Sequence, residues 1–172
     1  MNTEHFPLRQ LTDQFYEENG HLERVMDKRK DATGYLKKDR GYGVILIEAY
    51  GQRFGIPLRS NMTHKFCFST KITSNPESGR TQRKGLDYTK AVILNEGHYV
   101  TERSFKIPAD EFDKINDSQE MIKNQFTKFI EKYIKAVEKN DQNVLSRNYR
   151  DSSLINYHKE LGIENKDVDS TD

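Results

Sequence analysis

Residues Tyr42 to Ala49, reading Tyr-Gly-Val-Ile-Leu-Ile-Glu-Ala, carry the strongest strand pattern in the chain. A nearly continuous apolar run of this length predicts a strand lying centrally in a sheet. Tyr50-Gly51-Gln52 is a turn, and Arg53 to Ile56 returns as a second strand, which gives an antiparallel hairpin. Pro57 lacks a ladder donor, so the strand is expected to stop there and the polar run from Arg59 onward to lie on a loop. Phe66 to Ser69 and Lys90 to Leu94 read as further strands. A second hairpin is expected to turn at Glu96-Gly97 and to run from Tyr99-Val100 through Phe105 to Ile107. Five or six short strands joined mostly by tight turns predict an antiparallel sheet.

The remaining segments separate by pattern. Thr12 to Glu18 reads as a short helix stopped at Asn19-Gly20, and His21 to Met26 as a further turn. Asp27 to Arg40 has few apolar residues and carries Gly34, so it reads as a mobile basic loop, and Thr73 to Gly85 reads as a long exposed loop. After Pro108 the period becomes helical. Asp117 followed by Glu120 resembles a capping box, and Ile122, Phe126, Phe129, Ile130, Tyr133 and Val137 share one face, which must dock on the sheet. Asn148 to Leu161 reads as a last short helix, and the acidic end from Glu160 to Asp172 as frayed. With 172 residues and no repeat or low-complexity linker, one α+β domain is expected.

Only 34% of the residues are hydrophobic and 32% are charged, so the core must be small and the surface extensive. The single Cys67 excludes an internal disulfide and reads as a small apolar strand residue between Phe66 and Phe68. The N-terminus lacks a signal-peptide pattern and no apolar stretch reaches membrane-spanning length, so a soluble cytoplasmic protein is expected. The net charge of +1 hides an uneven distribution. Arg24 to Arg40 holds seven Lys and Arg against three acids, and Gln52 to Lys90 eight against two, whereas Glu160 to Asp172 holds five acids and one Lys. Such a basic half fits a polyanionic partner, nucleic acid above all, or simply a solvated surface.

The chemistry is narrowed by what is missing. His5, His21, His64, His98 and His158 are scattered without ligand spacing, and neither a phosphate-binding Gly-rich loop, a dinucleotide fingerprint nor a nucleophile elbow is present. No metal or cofactor is expected. RNA cleavage without a metal remains open, because the ribose 2′-hydroxyl is its own nucleophile. The protein then supplies a base, donors to the phosphorane oxygens and an acid for the leaving 5′-oxygen. Arg59, Ser60, His64 and Lys65 provide these types within seven positions. A histidine can act as acid or base near neutral pH. Arg59 and Lys65 suit charge stabilisation, and Ser60 a hydrogen bond to a phosphate oxygen. Singly, each also fits a solvated loop.

The order Arg40-Gly-Tyr-Gly-Val-Ile-Leu-Ile-Glu, a turn, Arg53-Phe-Gly-Ile-Pro-Leu-Arg-Ser60 and His64-Lys65 resembles the toxins of type III toxin–antitoxin systems, the ToxN/AbiQ-like endoribonucleases. Lys84-Gly-Leu-Asp-Tyr-Thr-Lys-Ala-Val-Ile-Leu and the Phe-Lys-Ile-Pro ahead of the long helix are similar to its TenpN branch. The resemblance spans Leu8 to Phe129 and is sharp over Arg40 to Lys65 and Lys84 to Leu94. It implies a strongly twisted antiparallel sheet with peripheral helices, related to MazF-like toxins. It also implies a sequence-preferring, metal-independent RNase active in phage defence. A repeated pseudoknot RNA antitoxin would hold it inactive within a closed protein–RNA assembly, with no DNA or membrane partner.

In that family a strand-end Leu-Thr/Ser-Ser-Pro-Lys run carries the site, assisted by a basic residue ahead of the preceding strand. Leu58-Arg59-Ser60 and Arg40 match these positions. The Pro-Lys stands here as Asn61-Met62, so Lys65 matches only across a longer loop and the catalytic cation is either Lys65 or Arg59. An RNA partner makes Lys28, Arg29, Lys30, Lys37, Lys38, Arg53, Arg80, Arg83 and Lys84 the candidate phosphate contacts. Tyr88 could stack on a base or belong to the core, and Asp87 could read a base edge or cap a turn. Two rivals stand beside the nuclease: a noncatalytic RNA-binding module, and an interaction protein using the long helix and acidic tail.

Overall fold

The computed structural model describes residues 6–25, 30–31, 34–35 and 43–163. In chain order the elements are β1 (Leu8–Gln10), α1 (Asp13–Glu18), β2 (Lys30–Asp31), β3 (Gly34–Tyr35), β4 (Gly43–Ala49), β5 (Gln52–Met62), β6 (Cys67–Ser74), β7 (Thr81–Asp87), β8 (Val92–Ile93), α2 (Ala109–Asp117), α3 (Gln119–Glu138) and α4 (Gln142–Asn148). The apolar run of β4 is buried along nearly its whole length because it lies between two neighbours, β1 on one edge and β5 on the other. A two-residue turn links β4 to β5. Tyr50 at φ +52° and Gly51 at φ +70° both adopt the left-handed conformation that lets a tight hairpin follow the twist of its strands. The fold is α+β around a six-stranded antiparallel sheet ordered β1-β4-β5-β7-β6, with β8 added to β5.

Strand β5 organises the molecule, and it corrects the expectation drawn from Pro57. The strand does not end at the proline. It continues to Met62 and changes partners there: Gln52 to Pro57 pair with β4, and Leu58 to Met62 pair with β7. Val44 opposite Pro57 is the last pair of the first ladder and Leu58 opposite Leu86 the first of the second. A residue without an N–H is tolerated where a ladder is handed over. Arg59 to Met62 are therefore strand rather than loop.

Other expectations are corrected in the same way. The span Thr73 to Gly85 is not a long loop but the β6–β7 hairpin, whose polar residues decorate an exposed end. Within Asp27 to Arg40, β2 and β3 pair as a small hairpin; the rest of that segment lies outside the described residues. Tyr99 to Ile107 forms no hairpin: Gly97–Tyr99 is a 3₁₀ turn, and Val100 makes a single bridge to Leu11. Asp117 closes α2 instead of capping α3, which starts after Ser118 with no side-chain cap. No single helix spans Asn148 to Leu161: α4 ends at Asn148, and a 3₁₀ turn follows at Ser153–Asn156. Leu161 and Ile163 are buried, so the chain stays docked to that point, and 164–172 lie outside the described residues.

The helices follow the sequence more closely. Thr12 caps α1 by accepting from the Phe15 N–H, and Phe15 is buried on the inner side. Helix α3 buries Ile122, Phe126, Phe129, Ile130 and Tyr133 of the expected stripe, with Ala136 buried in addition and Val137 only partly covered. Phe126 meets Phe54 of β5 edge to face at 5.1 Å, with Tyr88 at 5.7 Å on its other flank. Complete burial of each such ring contributes about 1.5–3 kcal/mol, enough to fix the helix across the sheet. Among the described residues no helix is long and apolar enough to cross a membrane.

Candidate functional site

The second half of β5 is irregular where the polar residues begin. Arg59 lies opposite Gly85 and Met62 opposite Arg83, so β5 carries one residue more than β7 over this step. Asn61 takes up the excess at φ +60°, a β-bulge that re-aims its neighbours. Ser60 and Asn61 stand exposed on it while Met62 returns to the interior.

Asp87, the last residue of β7, is fully buried beneath this bulge. Its Oδ2 accepts a 2.6 Å bond from Arg59 Nη1, and its Oδ1 accepts from the Thr89 N–H at 3.0 Å and the Thr89 hydroxyl at 2.6 Å. The turn-capping role read from the sequence is realised, since Asp87 caps the 3₁₀ turn Tyr88–Lys90. His64, in the short connection from β5 to β6, places Nε2 3.3 Å from Asp87 Oδ1, close but poorly aligned for a directed bond. His64 Nδ1 accepts the Phe66 N–H at 3.1 Å, so the ring proton belongs on Nε2. Burial pushes the Asp87 carboxyl up. The His64 ring close by, together with the bonds from Thr89 and Arg59, outweighs it and holds the group below its ordinary 3.8.

A second cation lies behind the first. Lys90 donates to the carbonyls of Arg24 at 2.9 Å and Asp151 at 2.7 Å, which ties three distant segments together. Burial lowers its pKa, partly offset by Asp87.

Of the predicted catalytic group, the structure brings Arg59 and His64 together on Asp87 and leaves Ser60 exposed one residue further along the strand. Lys65 turns to a neighbouring cavity of about 280 Å³ bounded by α3 and α4, and no hydrogen bond or ion pair joins it to the other three. Arg40, Lys28, Arg29, Lys37 and Lys38 lie outside the described residues, and Lys30 is placed only by its backbone pairing in β2. Arg53 borders a different cavity with Glu48 and Lys123, away from the bulge. Arg80 and Arg83 sit on the β6–β7 hairpin. Lys84 is engaged by Glu111 of α2 at 2.9 Å.

Tyr88 corrects the stacking expectation. It is 3% exposed, packs on Phe126 and Phe129, and donates its hydroxyl to Gln125 Oε1 at 2.8 Å. Burial pushes its phenol far up. Tyr88→Phe should therefore cost only about 0.5–1.5 kcal/mol in urea unfolding, the net worth of one hydrogen bond. A tyrosine stacked on RNA would instead show its effect in RNA affinity.

Sequence reasoning missed two features. Asp87 was legible as a turn former, but not as the carboxylate that orients Arg59. The available signal was that Glu77 and Asp87 are the only acids in the basic stretch Gln52 to Lys90. Lys128 and Lys132 are not among the residues singled out from the sequence, yet both line the cavity beside Lys65. Among the described residues no three His, Cys, Asp or Glu side chains gather as a metal site would require.

Fold and site together define an α+β protein whose sheet bulge displays an arginine anchored by a buried acid. No protein-family model matches the chain, and neither a curated protein nor a solved structure matches it.

Proposed function

We propose that the protein is a metal-independent endoribonuclease and the toxin of a type III toxin–antitoxin pair. The observation that carries this reading is the Arg59–Asp87 bond at the bulge. A buried carboxylate holds one guanidinium nitrogen of an arginine that is one-third exposed and leaves its remaining N–H groups available. A pre-oriented fork of this kind suits the oxygens of a phosphorane, because no reorganisation is needed as charge develops. The 2′-oxygen attacks the adjacent phosphorus and gives up its proton, the bond to the 5′-oxygen breaks, and that oxygen takes up a proton. The products are a 2′,3′-cyclic phosphate and a 5′-hydroxyl. Arg59 and Ser60 hold the phosphate oxygens, and Lys65 approaches from the adjoining cavity as the second cation. His64, with Nδ1 on the Phe66 N–H and Nε2 buried against Asp87, is a positioning residue in this scheme rather than the proton carrier its type suggests.

Purified protein should cut single-stranded RNA in excess chelator and leave 5′-hydroxyl ends. Ser60→Ala and Lys65→Ala should each slow cutting by about a hundredfold, as loss of one oxyanion donor does, without loss of fold. Dependence on a divalent ion, 5′-phosphate ends, or wild-type rates in both variants would remove the proposal. A tandem array of repeats of some tens of bases immediately upstream in the DNA would supply the pseudoknot antitoxin this reading requires.

The Phe66 N–H on His64 Nδ1 and the burial of Nε2 against Asp87 favour one alternative, an RNA-binding module that grips RNA without cutting it. It predicts salt-sensitive binding with the RNA left whole.

A further inference from the structure

The cavity beside Lys65 has a composition that the bulge does not explain. Phe66 and Tyr149 form an aromatic wall with rings nearly parallel, 24° apart at 6.4 Å between centroids. Lys65 comes from the β5–β6 connection, and Lys128 and Lys132 from α3. The two α3 lysines are four residues apart on one helix face, where like charges repel. Among the described residues none of the three lysines makes an ion pair, and the acid nearest in sequence, Glu131, is bonded to Lys135. Three unpaired ammonium groups around one aromatic-walled cavity fit a ligand that is both planar and anionic. Gln125 adds specificity. Its amide oxygen is engaged by the Tyr88 hydroxyl, which leaves its NH₂ to donate to an acceptor on a base edge.

We infer that this cavity is a nucleotide subsite, taking the base of one RNA residue against Phe66 and the phosphate attached to it between Lys128 and Lys132. About 280 Å³ is at the small end for ligand pockets and suits one nucleotide rather than a longer segment. The subsite adjoins the bulge, because the Phe66 ring also stacks on His64 at 6.2 Å and 22°. A strand with its phosphate at Arg59 would thus set a neighbouring base in the cavity, a contact of the stacking-platform kind. This inference rests on the reading of RNA as the ligand of the bulge and extends it to sequence preference.

The test uses the full chain and the four nucleoside 3′-monophosphates, with inorganic phosphate and the free nucleosides as controls, followed by NMR or calorimetric titration. Nucleotides should bind more tightly than phosphate or nucleoside alone, with one base preferred. The double variant Lys128→Ala, Lys132→Ala should weaken that binding by about tenfold or more, since two charge-assisted contacts are removed. Alanine favours helix, so α3 should be retained in the variant, as circular dichroism will show. Nucleotides that bind no better than phosphate, or a double variant that binds as wild type, overturn the subsite. RNA cleavage measured in parallel separates the two proposals. Specific nucleotide binding with RNA left whole retains the subsite and removes the nuclease. Cleavage with unaltered preference in the double variant does the reverse.

Discussion

Asp87→Asn should destabilise the protein by about 2–4 kcal/mol at neutral pH, somewhat less than a fully buried ion pair because Arg59 is a third exposed. An asparagine keeps only one of the two acceptors and must turn its NH₂ toward either the Arg59 or the Thr89 donors, so one attraction is replaced by a donor–donor contact in a site with no water exposure on the Asp87 side. The pH dependence follows from the sign of the shift. The folded-state pKa of Asp87 is below its ordinary 3.8, so the unfolded chain binds its proton first as pH falls. Its contribution is complete above the unfolded value and is lost as pH drops from about 4 through the folded value. Urea unfolding of both proteins between pH 7 and pH 2 should show the wild type losing its advantage below about pH 4, with the curves converging. Equal midpoints at pH 7, or curves that stay parallel through acid, would show that Asp87 does not hold this corner together. Orientation of Arg59 is lost in the same variant, so RNA binding at the bulge should fall with it.

Gly85→Ala should be at least as damaging. Gly85 has φ +151°, and a Cβ added there would fall on the carbonyl oxygen of Phe68 and within 3.0 Å of the Thr70 nitrogen. These are backbone atoms of β6, so relief requires the two strands to part; a side-chain rotation cannot supply it. The expected loss is about 3 kcal/mol or more, from backbone strain together with broken ladder bonds. Gly79→Ala is the matched control. It too has a positive φ, +67°, but nothing lies within 4 Å of its added Cβ, so about 1 kcal/mol is expected. Thermal unfolding of the pair measures the difference. Comparable losses in both would mean that the close approach of β6 and β7 is not tight in solution.

How much of this was legible in the sequence differs from element to element. The β4–β5 hairpin and the buried face of α3 were, because each is written in residues close together: an apolar run with a tight Tyr-Gly turn, and aromatics at helical spacing. The extent of β5 and β7 was not. The exposed end of a hairpin can be built from polar residues such as Thr73, Gln82 and Arg83, since it packs on little, and its strand state comes from the partner across the ladder. Pro57 misled for a related reason. Its meaning depends on whether the strand needs a donor there, and the need vanishes only because β4 gives way to β7.

The candidate site divides along the same line. Composition and local order put arginine, serine, histidine and lysine near one sheet end and made that stretch of the chain basic. The tertiary fold decided which of them meet. Asp87 is twenty-eight residues from Arg59 in sequence, and only the β5–β7 register brings the two within 2.6 Å. Lys128 and Lys132 join Lys65 only because α3 lies across the sheet on its aromatic stripe. Short-range patterns carry the preferences of the backbone; pairing between distant charges is set by how the elements pack, which no local spacing records.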